Sequence, residues 1–152
     1  YAESWREMAE RGTCLIFSGK AGTGKTHLAC AIANAVIAQG SSALFTTVSD
    51  ALRSIKRAYD KDATMSESEA IATLVEPRLL VLDEVGMDYG TEHSKTLLFD
   101  VLNKRYENVR PSIILTNLDA PALRDYFGDR IVDRLREGGG KLVAFTWASH
   151  RT

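Results

Sequence analysis

The chain has 152 residues, is 45% hydrophobic and 26% charged, and carries a net charge of −1. That length suits one compact domain that buries a core without disulfide or metal staples. The even charge balance excludes a strongly basic nucleic-acid coat, though not a local basic face. Cys14 and Cys30 form no Cys-x-x-Cys pair, and His27, His93 and His150 show no zinc-ligand spacing. Both cysteines sit in apolar segments and read as buried, reduced thiols. No apolar run approaches the roughly 20 residues of a membrane span, and no signal-peptide pattern is present. A cytoplasmic protein with no membrane role is expected. The chain opens on Tyr1 rather than Met. It therefore reads as a single domain, 1–152, taken from the C-terminal part of a longer protein.

In chain order, residues 13–18 are an apolar run that reads as a buried strand. Residues 19–26 are a glycine-rich turn, and 25–39 an Ala-rich helix ended by Gly40. A second strand is expected at 43–48. The next helix, capped by Ser49 or Asp50, runs to about Tyr59. Ser66 and Glu69 have the spacing of a capping box, opening a short helix that Pro77 cannot continue. Residues 79–83 are a continuous apolar run closed by acid, as in a buried parallel strand. A helix over 91–108, a strand over 112–116, two helices at 121–127 and 129–137 broken at Gly128, and a last strand at 142–145 complete the pattern. Alternating strands and helices predict a parallel sheet covered on both faces. Ligands in such sheets sit at the C-terminal strand ends, where the loops 19–26, 83–84 and 116–117 fall.

Gly19-Lys20-Ala21-Gly22-Thr23-Gly24-Lys25-Thr26 meets every fixed position of the phosphate-binding P-loop. Glycines let the backbone curl until its N–H groups face the phosphates, and the following helix aims its positive end at the same anion. Gly22, Thr23, Gly24, Lys25, Thr26 and His27 are the candidate ATP/ADP-binding residues. Lys25 adds a full charge at the β- and γ-phosphates, and the Thr26 hydroxyl is placed for Mg²⁺. The competing reading, a glycine turn with a surface lysine, fits poorly between an apolar strand and an Ala-rich helix.

Leu79-Leu80-Val81-Leu82-Asp83-Glu84 supplies the second half of such a site. Asp83 at the strand tip can join the Mg²⁺ shell, and Glu84 can polarise an attacking water. A solvated acidic turn is the bland alternative. An acid beside the aspartate points to hydrolysis and away from a small-molecule P-loop kinase, which needs no water activator there. A nucleotide-gated scaffold with negligible turnover is a third class, disfavoured by the intact Glu84 and Arg130.

Ile113-Ile114-Leu115-Thr116-Asn117 ends a further strand in an amide. In the inferred sheet this strand lies between those of the P-loop and Asp83, so Asn117 would help orient the water. Alone, such an Asn is a turn former. Arg130 and Arg134 are four apart on one helix face. Either could enter a neighbouring subunit's site as an arginine finger, or both could pair with Asp129 and Asp133 in solvent.

With these motifs in place, the chain resembles the AAA+ domain of bacterial replicative-helicase loaders of the DnaC/DnaI type, with the IstB-like transposition helper ATPases close behind. The likeness covers nearly the whole chain. Ile16 to Lys25 with His27-Leu28-Ala29 looks like the loader P-loop, Leu82-Asp83-Glu84-Val85-Gly86 like its Walker B strand, and Leu115-Thr116-Asn117 like its sensor 1 strand. Residues 128–136 and 145–151 resemble the loader C-terminus. Thr26 departs from the Asn that some members carry.

The resemblance implies a three-layer α/β P-loop NTPase with five parallel strands in the order 5-1-4-3-2. It further implies Arg130 as the first finger candidate and Arg134 as the second. It implies assembly into an ATP-dependent spiral on single-stranded DNA during DNA replication. A DnaB-type helicase would be held mainly through an N-terminal region outside this sequence. Lys56, Arg57 and Tyr59, with Arg53, are the candidate DNA contacts: basic residues for phosphates and a ring for stacking. The same pattern also fits an amphipathic surface helix with Tyr59 in the core. Tyr89 is a weaker candidate.

Overall fold

The computed structural model describes residues 1–87 and 91–151. Its elements are α1 (Trp5–Arg11), β1 (Leu15–Gly19), α2 (Lys25–Ala38), β2 (Ala43–Thr47), α3 (Val48–Lys56), α4 (Glu67–Val75), β3 (Leu79–Val85), α5 (Glu92–Glu107), β4 (Ser112–Thr116), α6 (Ala120–Arg136) and β5 (Lys141–Phe145). All strand pairings are parallel, and the sheet order is β2-β3-β4-β1-β5. This is the expected order 5-1-4-3-2 read from the other edge. No helix among the described residues is long and apolar enough to cross a membrane.

Strand periodicity sorts the core into two layers. Ile16, Leu80, Leu82 and Ile114 face one side and pack with residues of α3, α4, α5 and α6. Leu15, Phe17, Leu79, Val81, Ile113 and Leu115 face the other and pack with α1 and α2. Successive side chains of a strand point to opposite faces, so a strand covered on both must be apolar throughout. That is why Leu79 to Leu82 are all buried.

Local chemistry sets the helix ends. Thr91 and Asp119 cap α5 and α6 through their side-chain oxygens. Ser66 Oγ accepts from the Glu69 N–H at 3.2 Å and its hydroxyl meets the Glu69 carboxylate, starting α4. The cap of α3 is Thr47, whose hydroxyl oxygen accepts from the Asp50 N–H at 3.1 Å, rather than Ser49 or Asp50. Gly128 breaks α6 with φ 76° and ψ 163°, at the expected position.

Two features escaped the sequence reading. Helix α1 was not expected; its Trp5 is buried in the second core layer and donates its indole N–H to Ser41 Oγ at 2.8 Å. Helix α3 stops at Lys56, and residues Arg57–Tyr59 form a 3₁₀ turn. Tyr59 therefore leaves the apolar side occupied by Leu52 and Ile55 and is 52% exposed, which rules out the core reading of this ring.

Arg105 of α5 is fully buried and has no carboxylate partner among the described residues. Its guanidinium donates to the carbonyls of Leu74, Val75, Pro77, Arg78 and Pro111, and its Nε to Ser112 Oγ at 2.9 Å. Burial pulls its pKa down to about 10, so it stays charged at neutral pH. The clamp ties the α4–β3 connection to the start of β4, which keeps the two central strands in register.

Candidate functional site: a phosphate-binding cleft

A cleft of about 880 Å³ opens at the C-terminal ends of β1, β3 and β4. Gly22, Gly24, Lys25, Thr26 and His27 line one wall, and Asp83, Glu84 and Asn117 the other. Cys30, Met87 and Arg151 also line it. The sequence reading brought the first two groups together but gave Arg151 no role, and Cys30, expected to be buried, is only half-buried because its position on α2 faces the cleft.

The P-loop turns on Gly22 and Gly24, with φ of 79° and 92°. An L side chain is strained in that region. Thr23 differs from its neighbours. Its side chain is buried, and its hydroxyl donates to the Lys20 carbonyl at 2.8 Å, so only its backbone is left to serve the loop. Lys25 is also buried, its ammonium donating to the carbonyls of Gly19 at 2.6 Å and Lys20 at 2.8 Å. Burial lowers its pKa first; Asp83 opposes that and Arg151 adds to it. Thr26 Oγ1 donates to Asp83 Oδ2 at 2.8 Å. These oxygens are a donor pair that a hard divalent cation accepts, with phosphate oxygens and water filling the remaining positions.

Strand β3 carries one more residue than β4 between the pairs Leu82–Ile114 and Val85–Thr116. This bulge decides where the acids go. Leu80 and Leu82 face the α3–α6 layer, and an unbroken strand would send Glu84 after them. The extra residue hands that core position to Val85, which is fully buried. Glu84 is left exposed at φ 59°. A left-handed non-glycine residue costs on the order of 1–3 kcal/mol. Burying an unpaired carboxylate costs several, so the bulge wins. Asp83 keeps the parity of Leu79 and Val81, which places it on the α2 side beside Thr26.

Asn117 follows β4 directly and is exposed to the cleft. Its neighbours are pinned. The Thr116 hydroxyl donates to the Val85 carbonyl at 2.8 Å and accepts from the Leu118 N–H at 3.1 Å. Ser18 Oγ donates to the Leu118 carbonyl at 2.5 Å. The backbone that carries Asn117 is thus held to both β1 and β3.

Neither Arg130 nor Arg134 of α6 lines this cleft. Arg130 is exposed and makes no hydrogen bond or ion pair among the described residues. Arg134 is engaged: it donates to Asn103 Oδ1 and lies 4.8 Å from the Tyr106 ring centroid. It borders a separate hollow of about 350 Å³ with Arg11, Cys14 and Ser112, at the starts of β1 and β4. Asp129 pairs with Arg124 at 2.5 Å, so the alternative in which Arg130 and Arg134 pair with Asp129 and Asp133 is not the arrangement found among the described residues.

The DNA candidates also lie outside the cleft. Lys56 Nζ donates to Ser94 Oγ at 2.9 Å. Arg57 borders a shallow hollow with Asp60 and Asp62, so the patch is of mixed charge. The Tyr59 hydroxyl donates to Glu67 at 2.5 Å, and His93 Nε2 lies 3.2 Å away. Tyr89 lies outside the described residues.

Residues 4–136 match the family model of the IstB-like ATP binding proteins. The chain belongs to that family. It is 35% identical over 151 residues to the replicative helicase loader DnaC of Buchnera aphidicola subsp. Acyrthosiphon pisum, covering 99% of this chain and 60% of that protein. The chain therefore spans well under two thirds of such relatives. Its fold is similar to a crystal structure of the DnaC helicase loader, with TM-score 0.77 and 26% identity over 90% of this chain and 80% of that one. It is also similar to the replication initiator DnaA bound to AMPPCP and single-stranded DNA, with TM-score 0.70 and 29% identity, covering 93% of this chain and 44% of that one. The fold is that of an AAA+ P-loop NTPase.

Proposed function

We propose that the chain is the ATP-binding and ATP-hydrolysing AAA+ domain of a replicative helicase loader that works on single-stranded DNA during DNA replication. The observation that carries this is the convergence of Lys25, Thr26, Asp83, Glu84 and Asn117 on one cleft at the strand ends. The P-loop N–H groups and Lys25 hold the phosphates of ATP. Thr26 and Asp83 hold Mg²⁺, whose charge, when bound, offsets that of the phosphates. Glu84 takes the proton of the attacking water, and Asn117 orients that water. Lys25 must exchange its two loop carbonyls for phosphate oxygens, which are stronger partners for an ammonium.

Arg130, exposed and unpaired among the described residues, is the group offered to a neighbouring subunit, so turnover depends on self-assembly. Arg134 is the lesser candidate, because freeing it breaks its contacts to α5. The likeness to DnaC supports a DnaB-type helicase partner, and the likeness to a DNA-bound DnaA supports single-stranded DNA. Lys56, Arg57 and Tyr59 are the surface proposed for that DNA. A transposition helper ATPase is the second reading, supported by the family model itself.

The test is ATP hydrolysis across a protein titration, with and without single-stranded DNA, beside Lys25→Ala and Arg130→Ala. A rate per subunit that rises with concentration and DNA, and is lost in both variants, is the expected result. A concentration-independent rate that Arg130→Ala leaves unchanged would overturn the trans-acting finger.

A further inference from the structure

Strand β5 is one edge of the sheet and pairs with β1 along its whole length, without a bulge. The Lys141 N–H donates to the Cys14 carbonyl at 3.2 Å, so the main-chain groups of Lys141, Val143 and Phe145 turn toward β1. Those of Leu142 and Ala144, by strand alternation, turn to the open side. Lys141 to Ala144 are all exposed, with Leu142 at 42% and Val143 at 38%. These two side chains stand on opposite faces, Leu142 beside Ile16 and Val143 beside Phe17. At the other edge of the sheet, only Phe45 of β2 is exposed. Sheet edges are ordinarily closed by proline, a bulge, charged side chains or a covering element. β5 has no proline, and its single charge, Lys141, stands at its start.

On the Leu142 face, β5 and α6 enclose a groove of about 720 Å³. Ile16, Leu123, Val132 and Leu135, all buried, form its floor. Its lining includes Arg124, Arg136 and Lys141 and no acidic residue. Arg124 is committed to Asp129. The side chains of Arg136 and Lys141 make no hydrogen bond or ion pair among the described residues. An apolar trough with two uncompensated cations at its rim has a definite complement, an apolar side chain flanked by carboxylates. A second copy of β5 would bring Lys141 to that rim instead of an acid.

We infer that the β5 edge and the groove beside it take an extended acidic and apolar segment of a partner protein, added to the sheet as a sixth strand. Its main chain pairs with the outward groups of Leu142 and Ala144. One apolar side chain enters the groove, and acids two positions away on the same face meet Arg136 and Lys141. The groove and the phosphate-binding cleft share no lining residue, so this surface does not rest on the ATP-binding reading.

The experiment is fluorescence anisotropy of the full chain with a fluorescein-labelled peptide, Thr-Glu-Val-Leu-Val-Glu-Thr, which places its leucine between two glutamates on one face. A twin peptide carries lysine at both glutamate positions. The glutamate peptide binds saturably, and the lysine peptide binds about tenfold or more weakly. Amide hydrogen exchange slows at Leu142 and Ala144 when the glutamate peptide is added. Arg136→Glu reverses the preference between the peptides and leaves affinity for mant-ATP, a fluorescent ATP analogue, at the parent value. Ala144→Pro removes an outward N–H that β1 does not use and abolishes binding; where that variant does not fold, Arg136→Glu alone decides. No saturable binding of the glutamate peptide, equal binding of the two peptides, or protection confined to residues outside β5 would each overturn the proposal. Self-association of the chain that Ala144→Pro abolishes, with no peptide bound, would assign the edge to a second copy and overturn it as well.

Discussion

The Thr116 hydroxyl bridges to the Val85 carbonyl at 2.8 Å, across the point where β3 bulges against β4. One side chain thereby fixes both the turn that exposes Glu84 and the strand end that presents Asn117. Thr116→Val keeps the shape but removes a donor from Val85 and an acceptor from Leu118. It should cost on the order of 1–3 kcal/mol in urea unfolding. It should lower the hydrolysis rate while leaving mant-ATP affinity near that of the parent. Affinity and rate falling together would argue against this positioning role.

Glu84 is exposed and Asp83 carries the contact to Thr26, so the two acids are separable. Glu84→Gln should slow single-turnover hydrolysis about 10²–10⁴-fold with nucleotide affinity retained. Asp83→Asn should instead weaken binding in a Mg²⁺-dependent way. Identical behaviour of the two variants would sink the division of labour.

The arginines of α6 should separate in the opposite sense. Arg130 is exposed and makes no hydrogen bond or ion pair among the described residues, so Arg130→Ala should change unfolding free energy by no more than about 0.5 kcal/mol while removing assembly-dependent turnover. Arg134 joins α6 to α5 through Asn103 and Tyr106. Arg134→Ala should destabilise by about 1 kcal/mol or more. Thermal melts and the concentration dependence of the rate, measured on the same preparations, decide it.

Lys25 gives the nucleotide-free protein a pH signature. Burial, reinforced by Arg151 and opposed by Asp83, holds its ammonium below the ordinary 10.5. Between that lowered value and 10.5 the folded chain binds fewer protons than the unfolded one, so the Lys25 contribution to stability improves as pH rises through the window. Below the window the penalty is fully present. Lys25→Met should therefore melt above the parent at pH 7, and the gap should narrow as pH approaches 10.5. A gap that widens with pH would reverse the assignment.

Much of this was legible in the sequence because the constraints are local. A P-loop needs its glycines and lysine consecutively, and a doubly covered strand needs an unbroken apolar run. Thr26, Asp83, Glu84 and Asn117 therefore could be named from the residues alone, while the strand order came from the family resemblance. What escaped depends on distance in sequence or on a single dihedral. The seven residues of α1 are too few and too polar to show a period, and Trp5 declares itself only through Ser41. The bulge at Glu84 leaves no mark in composition, since only the pairing with β4 reveals it. The core alternative for Tyr59 failed because it carried helical spacing three residues past the end of α3. Arg151 was within reach. Placing the last strand beside the first implies that whatever follows it emerges next to the phosphate loop.

Arg105 carries a consequence for how this sequence can drift. A buried ion pair can be exchanged for its mirror image, or both members replaced by apolar residues, through compensating changes at two positions. Five of the partners of Arg105 are peptide carbonyls. No substitution elsewhere alters a peptide carbonyl, so no second-site change restores what the loss of this guanidinium takes away. The position is tied to the path of the main chain itself, and a screen for suppressors of Arg105→Leu should return only reversion.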